Sequence, residues 1–248
     1  MIRKFLIPVL LLCSLITAAQ QGTSSPYSFY GIGDIRFKGT AENRAMGGVS
    51  VFTDSIHINL QNPASYSQLK LTTFTIGGTF SASKYNSLNA NEKAQRTTLD
   101  YLAVGIPMGK FGAAFGLMPY SSVDYKINTP GTEAIGNTNY DVNRVYSGDG
   151  NVNKAFIGLG YQIMPKLSIG VDVNYNFGRI ETTNIKDIPT FQYGTREQNN
   201  SELSGFNVNF GAMYERKITK KLDVYGSLGY SPESKLTSKN ERIFYGFL

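Results

Sequence analysis

Residues 167–178 alternate between apolar side chains and polar or small ones. A β-strand has a side-chain period of two, so this stretch has one apolar and one polar face. The apolar face carries Leu167, Ile169, Val171, Val173, Tyr175 and Phe177, and the polar face carries Ser168, Gly170, Asp172, Asn174, Asn176 and Gly178. A strand of this length is long for a globular domain and suits a tilted strand that crosses a bilayer. Repetition of the pattern predicts an all-β fold, a transmembrane antiparallel β-barrel with a polar lumen.

The first 19 residues predict a secretory signal peptide. Arg3 and Lys4 precede an apolar run, and small residues near Ala19 offer a cleavage site. The single cysteine, Cys13, falls inside this segment, so the remaining chain has no disulfide, thiol nucleophile or cysteine metal ligand. Leu12 stands where a lipoprotein signal carries a small residue, which disfavours lipidation. No other apolar run reaches the length of a membrane-spanning helix.

The formal net charge of +6 does not indicate nucleic-acid binding. Lys and Arg are scattered, and part of the excess lies in the signal and in short turns such as 216–217 and 220–221. No basic stripe with interleaved aromatic residues occurs, so no nucleic-acid partner is expected. The 16 Tyr and 15 Phe residues suit aromatic girdles at membrane interfaces. The expected location is the outer membrane of a Gram-negative-type bacterium.

Strand-like segments occupy residues 71–248, the predicted barrel region, whereas residues 20–70 lack sustained alternation. We predict seven strands, at 72–83, 97–107, 111–126, 151–163, 167–178, 202–216 and 222–230. Their inward polar positions, predicted to line the lumen, include Asp172, Asn174, Asn176, Asn207 and Asn209.

The predicted connections alternate between short and long. Short turns lie at 107–110, 164–166 and 217–221, and long polar loops lie at 84–96, 127–150 and 184–201. Outer-membrane barrels have short turns on the periplasmic side and long loops outside. A soluble β-sandwich is not expected to sort its loops in this way.

Seven strands is an odd number for a bacterial barrel, which closes with an even number of strands. Residues 231–242 are polar, and the short apolar end at 243–248 could begin an eighth strand. Two interpretations remain open. The chain is either an eight-stranded barrel filled by its own side chains or the N-terminal part of a longer barrel.

Residues 20–70 carry two glycine- and proline-containing motifs. Gly47-Gly48 follows Arg-Ala-Met, and Asn62-Pro63-Ala64 comes shortly before the first strand. Consecutive glycines permit tight packing or a positive φ, and Asn before Pro marks a turn. The segment also holds too many apolar residues for a disordered leader, so we predict a compact plug.

The two motifs and their position resemble the N-terminal plug of the FadL/TodX family of outer-membrane transport proteins. The resemblance implies a monomeric fourteen-stranded barrel whose lumen is closed by the plug near Asn62, Pro63 and Ala64. It implies passive transport of long-chain fatty acids or other hydrophobic compounds, with a fatty-acid-like ligand and outer-membrane lipid as partners. Seven strands would be half of such a barrel, so a truncated chain is expected.

Pro119 falls within the predicted third strand. Proline cannot donate a ladder hydrogen bond and belongs at strand edges or bulges. The family resemblance implies a kinked third strand that opens the barrel wall sideways, which would make Pro119 part of a gate. Alternatively, Pro119 lies above the bilayer core near the outer end of the strand.

Catalytic chemistry is not expected from this sequence. His57 is the only histidine, so a metal site and a catalytic triad base both lack partners. Gly31-Ile32-Gly33 is not followed by the rest of a dinucleotide-binding fingerprint. No enzyme activity, cofactor or metal is therefore predicted. Two further functions stay open beside transport: a barrel that serves as a subunit of a protein-secretion or assembly machine, and a small structural or adhesion barrel.

Overall fold

The computed structural model describes residues 25–51, 54–86, 91–190, 194–219 and 222–247. The predicted signal peptide lies outside this range. No helix within the described ranges combines the length and apolar character needed to span a membrane.

The described residues form one antiparallel sheet of nine strands that curls into a half-barrel, which confirms the predicted all-β class. In chain order the strands are β1 (Asp34–Ile35), β2 (Thr73–Asn86), β3 (Asn91–Met108), β4 (Phe111–Ile135), β5 (Thr138–Met164), β6 (Leu167–Asp187), β7 (Gly194–Thr219), β8 (Leu222–Tyr230) and β9 (Thr237–Phe247). Strands β2 to β8 pair in chain order, while β1 pairs with β4 and β9 pairs with β7. A short α-helix, α1 (Ala41–Ala45), and two 3₁₀-helices, Pro26–Phe29 and Pro63–Gln68, precede β2.

Each of the seven predicted strands is present, but the predicted long loops are largely wrong. The β4–β5 ladder continues through the predicted loop 127–150 to Ile135↔Thr138, and a tight turn with Gly136 at φ 64° closes it. Strands β6 and β7 likewise extend into the predicted loop 184–201, and β2 and β3 into the predicted loop 84–96. The reason is that polar side chains occur there on both faces, with only scattered apolar ones such as Val142, which blurs the alternation while the backbone ladder persists.

Strands β8 and β9 lie along the same side of β7. β8 pairs with β7 from Thr219↔Leu222 to Phe210↔Tyr230, and β9 continues from Ser204↔Thr237 to Gly194↔Phe247. The intervening residues 231–236 leave this ladder, and they contain Pro232, which has no N–H to donate. Residues 243–247, where an eighth strand could begin, therefore lie in β9 and pair with β7 in the described sheet instead of adding a strand beyond β8.

The sheet splits between β3 and β4. Their pairing runs from Met108↔Phe111 to Leu102↔Leu117, and beyond Leu117 the described part of β4 pairs with β5 on its other side. The register of β4 shifts between Pro119 and Ser121, directly after this split. β1 occupies the exposed edge there, because Asp34 and Ile35 pair with Ser122 and Ser121.

Two apolar clusters lie on the inner face of the sheet. The first joins residues before β2 to β3, β4 and β5, and comprises Ile58, Leu60, Tyr66, Leu69, Tyr101, Ala103, Ala114, Met118 and Phe156. The second lies farther from the short turns and comprises Val123, Tyr125, Val152, Ile180 and Leu203, with Ile32 packed against it. Residues 25–70, here called the N-terminal segment, thus contribute side chains to both clusters.

Candidate functional site

Gly47 and Gly48 end helix α1. Thr40 and Asn43 form a capping box at the start of this helix. Gly47 and Gly48 have φ values of 71° and 85°, and the Gly48 N–H donates to the Asn43 carbonyl over 2.7 Å. A left-handed residue is the usual way to turn a chain out of a helix, and glycine adopts it without a steric penalty. The Gly-Gly motif therefore has a local structural role.

Asn62 both starts the second 3₁₀-helix and ties it to the sheet. Its side-chain oxygen accepts a hydrogen bond from the Ala64 N–H at 3.0 Å, and Pro63 occupies the first helical position. Its side-chain nitrogen donates to Ser227 Oγ at 2.8 Å and to the Ala212 carbonyl at 3.2 Å. These bonds link the N-terminal segment to β7 and β8. Because Asn62 is buried, water does not compete for its hydrogen-bonding groups.

The 3₁₀-helix Pro63–Gln68 lies against a row of glycines in the sheet. Gly112, Gly160, Gly170, Gly211 and Gly229 are successive register partners on β4, β5, β6, β7 and β8, and we call them the glycine row. A Cβ added at Gly160 would lie 2.7 Å from the Pro63 carbonyl oxygen, and one added at Gly170 would lie 2.5 Å from the Ala64 nitrogen. The helix backbone therefore lies directly against the backbone of β4, β5 and β6, at a distance that only glycine allows. At Gly211 on β7 the nearest atoms belong to the side chains of Asn62 and Pro63.

Tyr66 fills the space beside the glycine row. It is fully buried, and a Cβ at Gly158 would lie 2.6 Å from its Cε2 and would overlap Asp172 Oδ1. Asp172 and Lys154 are themselves almost completely buried. Burial, and then the negative charge of Asp172, raise the pKa of the Tyr66 hydroxyl well above its ordinary value. Burial also lowers the pKa of Lys38, which the Asp172 charge partly offsets.

The residues predicted to line the lumen lie on the same inner face. Asp172, Asn174, Asn176 and Asn209 are buried, and Asn207 is half-buried. The Asn176 side chain donates to Asn207 Oδ1 at 2.8 Å, and that of Asn174 donates to the Asn207 carbonyl at 3.3 Å. The structure thus brings these amides of β6 and β7 together. Their role as a lumen lining remains a prediction.

Pro119 lies at the split between β3 and β4, away from the glycine row. The N-terminal segment runs along the β4 edge there. The Arg36 N–H donates to the Tyr120 carbonyl at 2.9 Å, and Ser28 Oγ accepts from the Asp124 N–H at 3.2 Å. A role of Pro119 in a gate also remains a prediction.

His57 lies close to Asp54 on the exposed side of the N-terminal segment. Its Nδ1 is 2.6 Å from Asp54 Oδ2, and this hydrogen bond lowers the pKa of Asp54. Within the described ranges, no group of three or more His, Cys, Asp or Glu residues is arranged to hold a metal ion.

The glycine row and Tyr66 are the features that sequence reasoning missed as a site. Inward-facing Gly158 and Gly160 are apparent from the alternation on β5, but each glycine looks separate along the chain. Only the strand register shows that Gly112, Gly160 and Gly170 are neighbours.

The fold and this site together define a curled β-sheet protein whose inner face carries its own N-terminal segment. A family model named BamG matches residues 1–247, so the chain belongs to the BamG family. No curated protein and no solved structure matches the chain.

Membership in the BamG family overturns the assignment to the FadL/TodX family. The fourteen-stranded monomer and the fatty-acid ligand, which that resemblance implied, lose their basis with it. The error has a physical reason. Gly47-Gly48 ends a helix and Asn62-Pro63-Ala64 starts one, and both tasks recur in unrelated chains.

Proposed function

We propose that this protein is an outer-membrane component of the machinery that assembles outer-membrane proteins, in which it holds a partner protein. The observation that carries this proposal is membership in the BamG family, which suggests a bacterial outer-membrane-associated protein with a role tied to outer-membrane assembly. Fatty-acid transport has no comparable support.

The outer face of the sheet supports a position in the membrane. The outward apolar side chains of β6 extend from Ile169 to Phe177; four of them are 36–43% exposed, and Val171 is half-buried. This extent matches the roughly nine to eleven residues that a tilted strand needs to cross a bilayer. Neighbouring strands continue the surface with Ile157, Leu159, Phe206 and Phe210, and we call it the apolar belt. A contiguous exposed apolar surface of this kind is typical of a membrane or protein interface.

The central hairpin extends far past the apolar belt. β4 has 25 residues and β5 has 27, so at about 3.3 Å per residue the longer strand measures about 90 Å. That is roughly three times the thickness of the hydrocarbon core. Glu133 pairs with Arg144 at 2.6 Å and with Lys186 at 2.8 Å, which ties β4, β5 and β6 together near the hairpin tip. Ion pairs thus hold the sheet together beyond the belt, which favours a role of this part as a binding surface for a partner protein.

The occupied inner face favours a binding role over passage of a solute. The helix Pro63–Gln68 contacts Gly112, Gly160 and Gly170 of the glycine row backbone to backbone, and Asn62 fixes it to β7 and β8. A scaffold needs no path across the membrane, whereas a transporter would have to move this segment.

Affinity purification tests the proposal. The tagged full chain is expressed in its native bacterium, extracted in a mild detergent and purified, and co-purifying proteins are quantified. Other assembly subunits are expected in stoichiometric amounts. A tagged outer-membrane protein of unrelated function is the control, and recovery of the chain without any assembly subunit would contradict the proposal.

A shortened hairpin locates the partner. Replacing residues 132–141 by Asn-Gly keeps the Gly131↔Val142 pair as the last rung of the β4–β5 ladder. The variant is expected to remain in the outer membrane but to lose the partner. Full partner recovery with this variant would place the contact elsewhere on the molecule.

A further inference from the structure

The split between β3 and β4 forms a slot through the sheet. It begins where Leu102↔Leu117, the last β3–β4 pair, ends. Arg36, Thr98 and Pro119 line a cavity on the outer side of the sheet and also a second cavity on the inner side. These three shared residues show that the two cavities meet at the slot.

The outer cavity lies at the boundary of the apolar belt. It has a volume of about 270 Å³, and Leu99, Leu117 and Phe177 contribute apolar walls. Asn151 and Asn153, which precede the belt residue Ile157 on β5, also line it. An apolar wall that ends in polar side chains at the edge of the belt corresponds to the headgroup level of a lipid leaflet.

The inner cavity is positively charged. Its volume is about 190 Å³, and its charged lining residues are Arg36, Arg44, Arg96 and Asp100. Arg44 lies 3.3 Å from Asp100, and Arg36 donates to Ser122 Oγ at 2.6 Å. Asp34 also acts on Arg36 through its charge. When Asp34 is counted together with Asp100, the three arginines still outnumber the carboxylates by one.

We propose that the slot binds a lipid whose headgroup carries a phosphate. The phosphate lies at Arg36 and Arg96, and an acyl chain lies in the outer cavity against Leu99 and Leu117. Guanidinium groups are suited to phosphate because their planar N–H groups form paired, charge-assisted hydrogen bonds. The apolar walls explain why the ligand is a lipid and not a free phosphate. The inference rests on the membrane position in the proposed function.

The binding test uses the purified full chain, delipidated in detergent. Native mass spectrometry measures the retention of a long-chain phosphatidic acid, of the diacylglycerol with the same chains, and of inorganic phosphate. Retention of phosphatidic acid alone is expected. Equal retention of the diacylglycerol would overturn the role of the phosphate, and full displacement of the lipid by equimolar inorganic phosphate would overturn the role of the chain.

Matched variants locate the binding. Arg36→Gln and Arg96→Gln are each expected to weaken retention roughly tenfold, the effect of losing one charge-assisted hydrogen bond. The control Arg179→Gln changes an exposed arginine outside both cavities and is expected to have no effect. Arg96 lies on β3, so its variant tests the site even if Arg36→Gln loosens the N-terminal segment.

A second pair of variants tests the apolar wall of the outer cavity. Leu99→Ser is expected to weaken retention of the lipid, and Leu228→Ser, at another exposed leucine outside the cavity, is expected to leave it unchanged. Equal effects in either matched pair would overturn the site. Absence of lipid retention by the unmutated chain, with intact co-purification of assembly subunits, would refute this inference alone. Lipid retention without co-purifying assembly subunits would refute the assembly role alone.

Discussion

The glycine row makes a sharp prediction at Gly112. In Gly112→Ala, the new methyl group would overlap the Tyr66 carbonyl oxygen and lie 2.8 Å from the Ser67 nitrogen. The nitrogen alone would have to retreat by about 0.6 Å to reach an ordinary contact of about 3.4 Å, and the carbonyl by more. Both atoms belong to the helix backbone, so no side-chain rotation relieves the overlap.

The free-energy cost of Gly112→Ala depends on the contacts that are disturbed when the helix moves. Overpacking of this kind costs about 1–3 kcal/mol, and lifting the helix also loosens its seat on Gly160 and the burial of Tyr66. We expect about 3 kcal/mol against the docked N-terminal segment, which is roughly a hundredfold increase in its undocked population. Hydrogen exchange of backbone amides in residues 60–69, measured in detergent micelles, should accelerate by that factor.

The same row supplies the control. Gly229 is the register partner of Gly211, but a Cβ there would meet no atom within 4 Å. Gly229→Ala should therefore leave exchange of residues 60–69 unchanged, and amides of the β5–β6 hairpin should stay protected in both variants. Equal protection of residues 60–69 in Gly112→Ala and Gly229→Ala would refute the steric argument.

Three further predictions concern the same segment. Asn62→Ala should lower the free energy of segment undocking by about 2 kcal/mol, because it removes a helix cap and the bond to Ser227. A double-mutant cycle with Ser227→Ala, measured by hydrogen exchange, should show coupling of about 1 kcal/mol, and additive effects would contradict the contact. Tyr66 stays neutral while the segment is docked but ionises above about pH 10 when the segment is undocked. Above that pH, docking of the wild type should therefore weaken by up to about 1.4 kcal/mol per pH unit relative to Tyr66→Phe. Parallel pH profiles of the two proteins would contradict the burial of Tyr66. Tyr101→Phe should cost about 1 kcal/mol by removing the acceptor of the Ala41 N–H, measured as faster exchange at the start of α1; an unchanged rate would exclude that bond.

The sheet was predictable where one face is apolar and the other is not. Residues 167–178 show this pattern, and β6 begins at Leu167 as predicted. β8 also matches its predicted bounds, Leu222–Tyr230. In each case the two faces of the strand differ in side-chain polarity, which is what makes a period of two visible in a sequence.

The hairpin beyond the belt was not predictable by the same means. Residues 127–150 carry polar side chains toward both faces, so the sequence resembles a loop although the backbone forms a ladder. β9 was predictable only in part, because the apolar end at 243–248 indicates the start of a strand whereas its polar residues 237–242 do not. Its pairing with the far half of β7 depends on residues 231–236 leaving the sheet, which no local pattern indicates.

The candidate site was only partly predictable. The sequence predicts a fixed turn at Asn62-Pro63-Ala64, but the glycines that this turn packs against are brought together by the register between strands, which a single sequence does not determine. The sequence likewise predicts that Pro119 interrupts its strand, yet the split beside it involves β3 as much as β4. The family assignment failed because it relied on two local motifs and no long-range contact.

The most direct test of the assembly role is to deplete the protein in its native bacterium and follow newly made outer-membrane barrels. Folded and unfolded forms are separated by their heat-dependent mobility in gels, and oleate uptake is measured in the same cells. The proposal predicts that the folded fraction of several unrelated barrels falls while oleate uptake per folded transporter is unchanged. Normal barrel folding in depleted cells would contradict it.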